Sequence, residues 1–535
     1  MTRRLSLAAV TVFAGLGLLI AAGLAHPATD ARKGGTLRMS SPADVDSIDP
    51  ALAYQPRSWQ IGYVTCAKLF NYPDAQGAAG TRVVPEVVDR YAVSPDRRTY
   101  TFTLKQTFRF HNGARVTAQS FADAFDRDAQ PRLESWARAY MREIVGAVAM
   151  MDGKTESISG IRVLSPYRLQ IRLTRPVGDF TARLTLPSFC PILPTTPTDR
   201  EIVTDPPGSG PYYVADRISN QQILLKRNPY YRGDRPANVD QVVWTIDTYG
   251  ECILGVEQDR IDYCFAGLNR VGYRELAHKY GVNRPGGQFF VSPGLTTFFV
   301  AFNHDRPAFK GAAQIPVKKA INHAIDRPEL ARQLGHLGGF RTDQLLPPAL
   351  ARAERIYPRA GSDYATAREL LARAARPPTE LVLYADSSAR GVLLAQTLVF
   401  NLEQIGIDVQ VKYFDVNALP DKLATHGEPF DLVSTGWVAD YADPASFFVP
   451  LLAPGSGSGV NLDDPSINRR MAAASRLTGE ARRKAWADLD VDLMRDNPPW
   501  APFVNSQRRT FVSRSTGCVL DHPVYGFDIA AACKK

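Results

Sequence analysis

Apolar residues alternate with threonines at Tyr100, Phe102 and Leu104 and resume at Phe108 and Phe110, a period of two that predicts a β-hairpin over 97–110. His111-Asn112-Gly113 supplies the next turn. Thr117 then stands where a helix N-cap belongs, ahead of Phe121, Ala124 and Phe125 on one helical face. Ile161 and Val163, then Leu169, Ile171 and Leu173, alternate around a Ser165-Pro166 turn, so this region reads as a small α+β unit. A second β pattern covers 208–263. Gly208-Ser209-Gly210-Pro211-Tyr212 is a tight turn, the runs 223–225 and 242–246 are strands, and a short helix near Ile253 to Val256 precedes a strand over 261–265.

The texture changes near residue 296. Thr297 to Phe302 is strongly β-type, and a helix follows over 317–325. Asp326 caps a second helix, with Pro328 in its first turn and Glu329 placed for a capping box. Leu381 to Tyr384 is a strand, Val392 to Ile405 a helix stopped by Gly406, and Ile407, Val409 and Val411 alternate as the next strand. Strand–helix–strand order of this kind predicts a crossover in a mostly parallel α/β sheet. Asp431 to Thr435 is a further strand that delivers Gly436-Trp437 to its carboxyl end, the edge where open α/β sheets bind ligands. Asn497-Pro498-Pro499 ends the last long helical pattern, and the tail returns to β character.

The amino terminus sets the compartment. Arg3 and Arg4 precede an uncharged apolar stretch from Leu5 to Ala25 that ends in the small residues Gly23-Leu24-Ala25, so 1–25 reads as a signal peptide. About 20 apolar residues can also span a bilayer, which makes an uncleaved anchor the competing reading. The Ala/Gly content and the break at His26-Pro27 favour cleavage and a periplasmic mature chain. The first cysteine is Cys66, too far downstream for a lipid anchor. The remaining chain, roughly 510 residues, exceeds one core and implies two or three domains. Sixty-three Lys and Arg against 54 Asp and Glu make it basic. Those charges are scattered rather than blocked, which argues for a solvated surface and against a nucleic-acid partner.

Six cysteines in an oxidising compartment favour disulfides, although 15 pairings are open. Sequential pairing is the expectation: Cys66 with Cys190, Cys252 with Cys264, Cys518 with Cys533, with buried free thiols as the alternative. Catalytic and cofactor motifs fail on inspection. Gly153-Lys154-Thr155 lacks the first glycine of a phosphate loop, since Val148 stands there. There is no H-E-x-x-H, and the dispersed histidines read as structural. No cofactor, metal or catalytic residue is expected.

Seven motifs, in order, carry a resemblance. They are Gly34-Gly35-Thr36-Leu37 with Asp46 to Pro50; Tyr100 to Lys105; Phe110 to Gly113 with Val116 to Ala118; Gly208 to Tyr212; Arg227 to Tyr231; Ala320 to Arg327; and Gly436-Trp437 with Ala439-Asp440-Tyr441 and Asp443-Pro444. Together they resemble the dipeptide- and oligopeptide-binding, family 5 class of extracytoplasmic solute-binding proteins. The resemblance implies a non-enzymatic α/β clamshell of two lobes, of the class II periplasmic-binding type, with an extra α+β subdomain. Lobe I would comprise 33–56, 189–295 and 499–535 with the inserted subdomain 57–188, and lobe II would span 296–498. It implies a monomer that closes on a peptide and docks on ABC importer permease subunits. Asp440 matches the aspartate that pairs with a peptide's ammonium group, and Trp437 a tryptophan lining the cleft; Gly436 and Tyr441 flank them. At Ser434 some oligopeptide binders carry an arginine, so the ligand's carboxylate is unassigned. The alternatives are a non-peptide solute (opine, oligosaccharide, metal chelate) or a secreted hydrolase with the same fold.

Overall fold

The computed structural model describes residues 33–199, 206–247, 252–265, 272–416 and 418–535. The expected signal peptide at 1–25 lies outside them. Three main sheets organise the chain. The first has five strands in the spatial order Tyr263–Cys264, Thr36–Ser41, Gln241–Ile246, Gln222–Arg227, Tyr212–Ile218. Thr36–Ser41 lies second in this order and is parallel to both neighbours, while the last three strands form an antiparallel meander. Leu37, Met39, Ile223, Leu225, Val242 and Trp244 turn one face of it into a core. The strand Tyr212–Ile218 extends what the sequence presents as a turn. It is an edge strand with exposed Ala215 and Asp216, so its alternation is half polar.

The second sheet has the order Val88–Val93, Thr99–Leu104, Arg168–Arg172, Ile161–Ser165, and the helix Ala118–Ala129 packs on it. Tyr100, Phe102 and Leu104 are buried as expected, but their strand pairs with Val88–Val93 and Arg168–Arg172 rather than with 108–110. Phe108 and Phe110 are buried in the same core, while their stretch touches its neighbour through an isolated bridge between Arg109 and Arg115. Period-two patterning identifies the buried face of a strand and leaves its partner open, which is why the hairpin reading fails. Thr117 does cap the helix, and Ser120 Oγ accepts from its backbone N–H at 3.4 Å.

The third sheet has six strands in the order Gly339–Arg341, Trp500–Phe511, Phe289–Phe302, Leu432–Val438, Glu380–Asp386, Asp408–Phe414. The crossover through the helix Ala389–Glu403 joins parallel strands as its sequence predicts. The sheet is mixed rather than mostly parallel, because Phe289–Phe302 runs antiparallel to both Leu432–Val438 and Trp500–Phe511. Those two long strands also leave this sheet: register shifts occur between Pro293 and Thr297, and beyond them Val512 bridges Tyr263 of the five-stranded sheet. They therefore connect the two halves of the molecule.

Local chemistry fixes the element ends. Asp326 accepts from the Glu329 N–H at 2.8 Å at the start of the helix Arg327–Gln333. Arg327 is buried and ties that helix to the carbonyl of Pro502 at 2.7 Å and to Asp343 at 3.3 Å. Asp326→Ala should therefore lower stability by about 1 kcal/mol, the usual cost of a lost N-cap, read as a shift in urea midpoint at constant slope. The cysteines pair sequentially, with Cα–Cα distances of 5.6, 5.8 and 5.4 Å for Cys66–Cys190, Cys252–Cys264 and Cys518–Cys533. No helix among the described residues is long and apolar enough to cross a membrane.

Candidate functional site

The strand Leu432–Val438 carries Gly436 and Trp437 near its carboxyl end and runs into a loop, 439–444, that starts the helix Ala445–Leu452. Gly436 lies opposite Phe298 in the ladder, and a Cβ there would sit 2.7 Å from that ring. Glycine is thus required for the aromatic ring to lie across the strand end. Trp437 is half-buried, and its indole N–H donates to the Ser446 carbonyl at 2.7 Å, which fixes the ring against the helix start. The loop is tightly folded: Ser446 Oγ donates to the Tyr441 carbonyl at 3.0 Å, and Asp443 accepts from the Ala445 N–H at 2.8 Å. Ser434 is buried within the strand.

Asp440 faces the other half of the molecule. Its carboxylate accepts from the Tyr140 hydroxyl at 2.7 Å and the Tyr54 hydroxyl at 3.3 Å. Tyr54 precedes the helix Pro56–Thr65, and Tyr140 belongs to the short helix Arg138–Met141 beside the four-stranded sheet. Trp59 meets the Tyr54 ring edge-on at 5.6 Å, and Trp136, 54% exposed, stacks on it at 4.6 Å. No ion pair to Asp440 occurs among the described residues. Burial pushes its carboxyl up to about 7, and the two tyrosine hydroxyls oppose that rise. Burial, together with the charge of Asp440, raises both phenols well above their usual range, so they stay neutral donors.

The result is a buried carboxylate held by two neutral donors with no cation. Two such hydrogen bonds do not offset the loss of water around a full charge. The group therefore takes up either a proton or a cation from outside. Tyr441, next in sequence, points away from this frame: it is buried and its hydroxyl donates to Asp179 at 2.7 Å. The Ala442 N–H donates to Tyr72 at 2.9 Å. Of the four sequence-derived candidates, Asp440 lies at the junction between halves, Trp437 is held against the start of the following helix, Gly436 supplies backbone, and Tyr441 is engaged in an ion-pair cluster.

Tyr54, Tyr140 and Trp136 were not singled out by sequence reasoning. They lie about 300 to 390 positions before Asp440, and no spacing rule links such distant residues. Burial depresses His304 and His522 to about 3, which keeps both neutral. No cluster of three or more His, Cys, Asp or Glu suited to a metal occurs among the described residues.

The model for the middle region of bacterial extracellular solute-binding proteins, family 5, matches residues 82–459. The periplasmic oligopeptide-binding protein OppA of Escherichia coli is 26% identical over 420 residues, spanning 74% of this chain and 75% of that protein. The clavulanic acid biosynthesis oligopeptide binding protein 2 superposes with a TM-score of 0.86 at 26% identity, covering 94% of this chain and 96% of the other. The periplasmic binding protein DppA from Helicobacter pylori, solved in complex with the peptide STSA, gives 0.77 at 20% identity over 94% and 98% of the two chains. The fold is thus the two-lobed α/β clamshell that the sequence motifs imply.

Proposed function

Because the chain belongs to the family 5 bacterial extracellular solute-binding proteins, we propose that it captures peptides between its lobes and delivers them to the permease of an ABC importer. The observation that carries this reading is Asp440: a buried carboxylate without a cation, framed by Tyr54, Tyr140 and Trp136 from the opposite lobe. A peptide's α-ammonium group supplies the missing charge and a strong charge-assisted hydrogen bond. Trp437 covers the ligand with a flat apolar face, and Gly436 contributes through its backbone, the place of a Cβ there being filled by the Phe298 ring. Ligand contacts made to both lobes at once favour the closed state and shift the population toward it. The protein acts outside the cytoplasm, in the periplasm after removal of 1–25, as a monomer without cofactor or catalysis.

In this reading lobe I comprises 33–56, the insertion 57–188, 189–295 and 499–535, and lobe II comprises 296–498. The hinge is formed by the two crossings near 296 and 498, and the pairing of Phe289–Phe302 with Trp500–Phe511 breaks register beside the first of them, between Pro293 and Thr297. The test is a thermal-shift screen of the mature chain against di- to pentapeptide pools and their N-acetylated counterparts. A ligand that binds only the folded state raises the melting temperature. Stabilisation by free-amine pools and none by acetylated pools is the expected result. No shift with any peptide pool overturns the peptide reading and directs the search to non-peptide solutes.

A further inference from the structure

Two charged pairs meet across the lobes directly beside the Asp440 frame. In the inserted subdomain, Arg183 Nε donates to Asp179 at 3.1 Å and its Nη1 to Glu143 at 2.8 Å. In lobe II, Arg482 grips both oxygens of Asp443, at 2.8 and 2.7 Å. Tyr441 joins them, its hydroxyl donating to Asp179 at 2.7 Å, while Arg482 comes within 3.6 Å of the other Asp179 oxygen. The side chains of Asp179 and Arg482 are 0% and 3% exposed. Burial opposes ionisation of Asp179, but Arg183, Arg482 and Tyr441 outweigh it and hold the carboxyl at about 2. Around this cluster the Gly178 N–H donates to the Ser475 carbonyl at 2.8 Å, and Arg97 reaches the Arg476 carbonyl at 3.0 Å.

We infer that Tyr441 and Asp179 are positioning residues that couple ligand capture at Asp440 to closure of the lobes. The inference rests on the reading of Asp440 as the partner of the ligand's ammonium group. Asp440 and Tyr441 are consecutive on one short loop and face different partners on the same opposite lobe. Those partners are themselves joined, because Arg183 Nη1 also donates to the carbonyl of Tyr140 at 3.2 Å. A closed circuit results: Asp440 to Tyr140, Tyr140 to Arg183, Arg183 to Asp179, Asp179 to Tyr441, and back along the chain to Asp440. A ligand on the loop therefore holds in place the Tyr441–Asp179 contact that the ligand-free chain already makes.

The charges suit a contact that must reopen. When the lobes part, Asp443 keeps Arg482 and Asp179 keeps Arg183, so neither half is left with an uncompensated buried charge. Contact between the lobes adds the Tyr441 hydroxyl bond and the Asp179–Arg482 attraction. Gly178 permits the close approach, since a Cβ there would press on the Leu477 carbonyl and on the Arg482 guanidinium.

Hydrogen exchange of the ligand-free mature chain tests the contact without a ligand. In Tyr441→Phe the Gly178 amide should exchange about tenfold faster, while amides in Thr36–Ser41 and Glu380–Asp386 keep their rates. Gly178→Ala, a wedge at the same contact, should give the same pattern and serves if Tyr441→Phe folds poorly. Unchanged protection, or protection lost throughout the molecule, overturns the inference. The second arm uses the free-amine peptide pools: dissociation from Tyr441→Phe should be about tenfold faster, with the free amino terminus still required. Wild-type dissociation rates in that variant overturn the coupling. If wild type binds no peptide, the peptide reading fails and the exchange arm still decides whether the contact exists.

Discussion

Asp440→Asn is expected to weaken peptide binding by about 100-fold or more in isothermal titration. Breaking a buried, hydrogen-bonded charge pair by removing one partner costs about 3 kcal/mol or more, and 1.4 kcal/mol is a decade in affinity. The asparagine side chain is nearly isosteric and can still accept from Tyr140, so the frame around it stays filled. What it removes is the charge, and with it the only partner that the described residues offer to a ligand's ammonium at this point. The peptide's desolvated ammonium is then left unpaired. The same substitution should not harm the ligand-free protein at neutral pH, because wild-type Asp440 is buried there without a cation. A loss of less than tenfold would place the ammonium elsewhere. A matching fall in ligand-free melting temperature would instead make Asp440 a structural residue. Alanine is the less informative variant, since the two tyrosine hydroxyls would lose their acceptor as well.

Much of the fold is legible because it is set locally. Glu380–Asp386, its following helix and Asp408–Phe414 are each encoded by their own periodicity, and Gly406, at φ +82°, marks the turn between helix and strand. Asp326 and Thr117 announce helix starts through side chains that reach only a few residues ahead. Legibility fails where pairing is decided at a distance. Thr99–Leu104 displays a buried face, yet its neighbours are chosen by how the whole sheet packs on Phe121 and Phe125. The site fails the same test more severely. Asp440 stands out because its surrounding motif is compact, but its function depends on Tyr54 and Tyr140, which approach it only through the meeting of two lobes. Tyr441 illustrates the converse: as part of the motif it reads as a ligand contact, and the structure turns its hydroxyl to Asp179. Adjacent residues of a loop face different ways, and no sequence pattern resolves that.

Peptide affinity should also fall about tenfold per pH unit below neutrality. In the closed, ligand-free arrangement burial holds the Asp440 carboxyl at about 7. Below that value the group carries a proton that an arriving ammonium must displace, so binding releases a proton and weakens as pH drops. At pH 5 the loss is about 50-fold relative to pH 7, because at pH 7 half of the carboxyls are already protonated. On the alkaline side a peptide's α-amino group loses its own charge near pH 8, so affinity should peak between about 7 and 8. Stability runs with the opposite sign. A carboxyl whose folded pKa is raised stabilises the closed form below its unfolded value of roughly 4, and that contribution is lost as pH rises through 7. Asp490 and Asp528 are also buried and raised to about 7, and burial raises Asp126, Asp128, Asp443 and Asp521 as well, so melting temperature alone would mix many groups. Asp179, held at about 2, contributes stability that is present above roughly 4 and is lost only in strong acid. Affinity isolates Asp440, because neither Asp490 nor Asp528 contacts its frame. A profile that is flat from pH 5 to 7 and identical in Asp440→Asn would remove Asp440 from ligand binding. A wild-type midpoint near 4 would show the carboxylate hydrated in the free protein, so that its desolvation is completed only as the lobes close on the ligand.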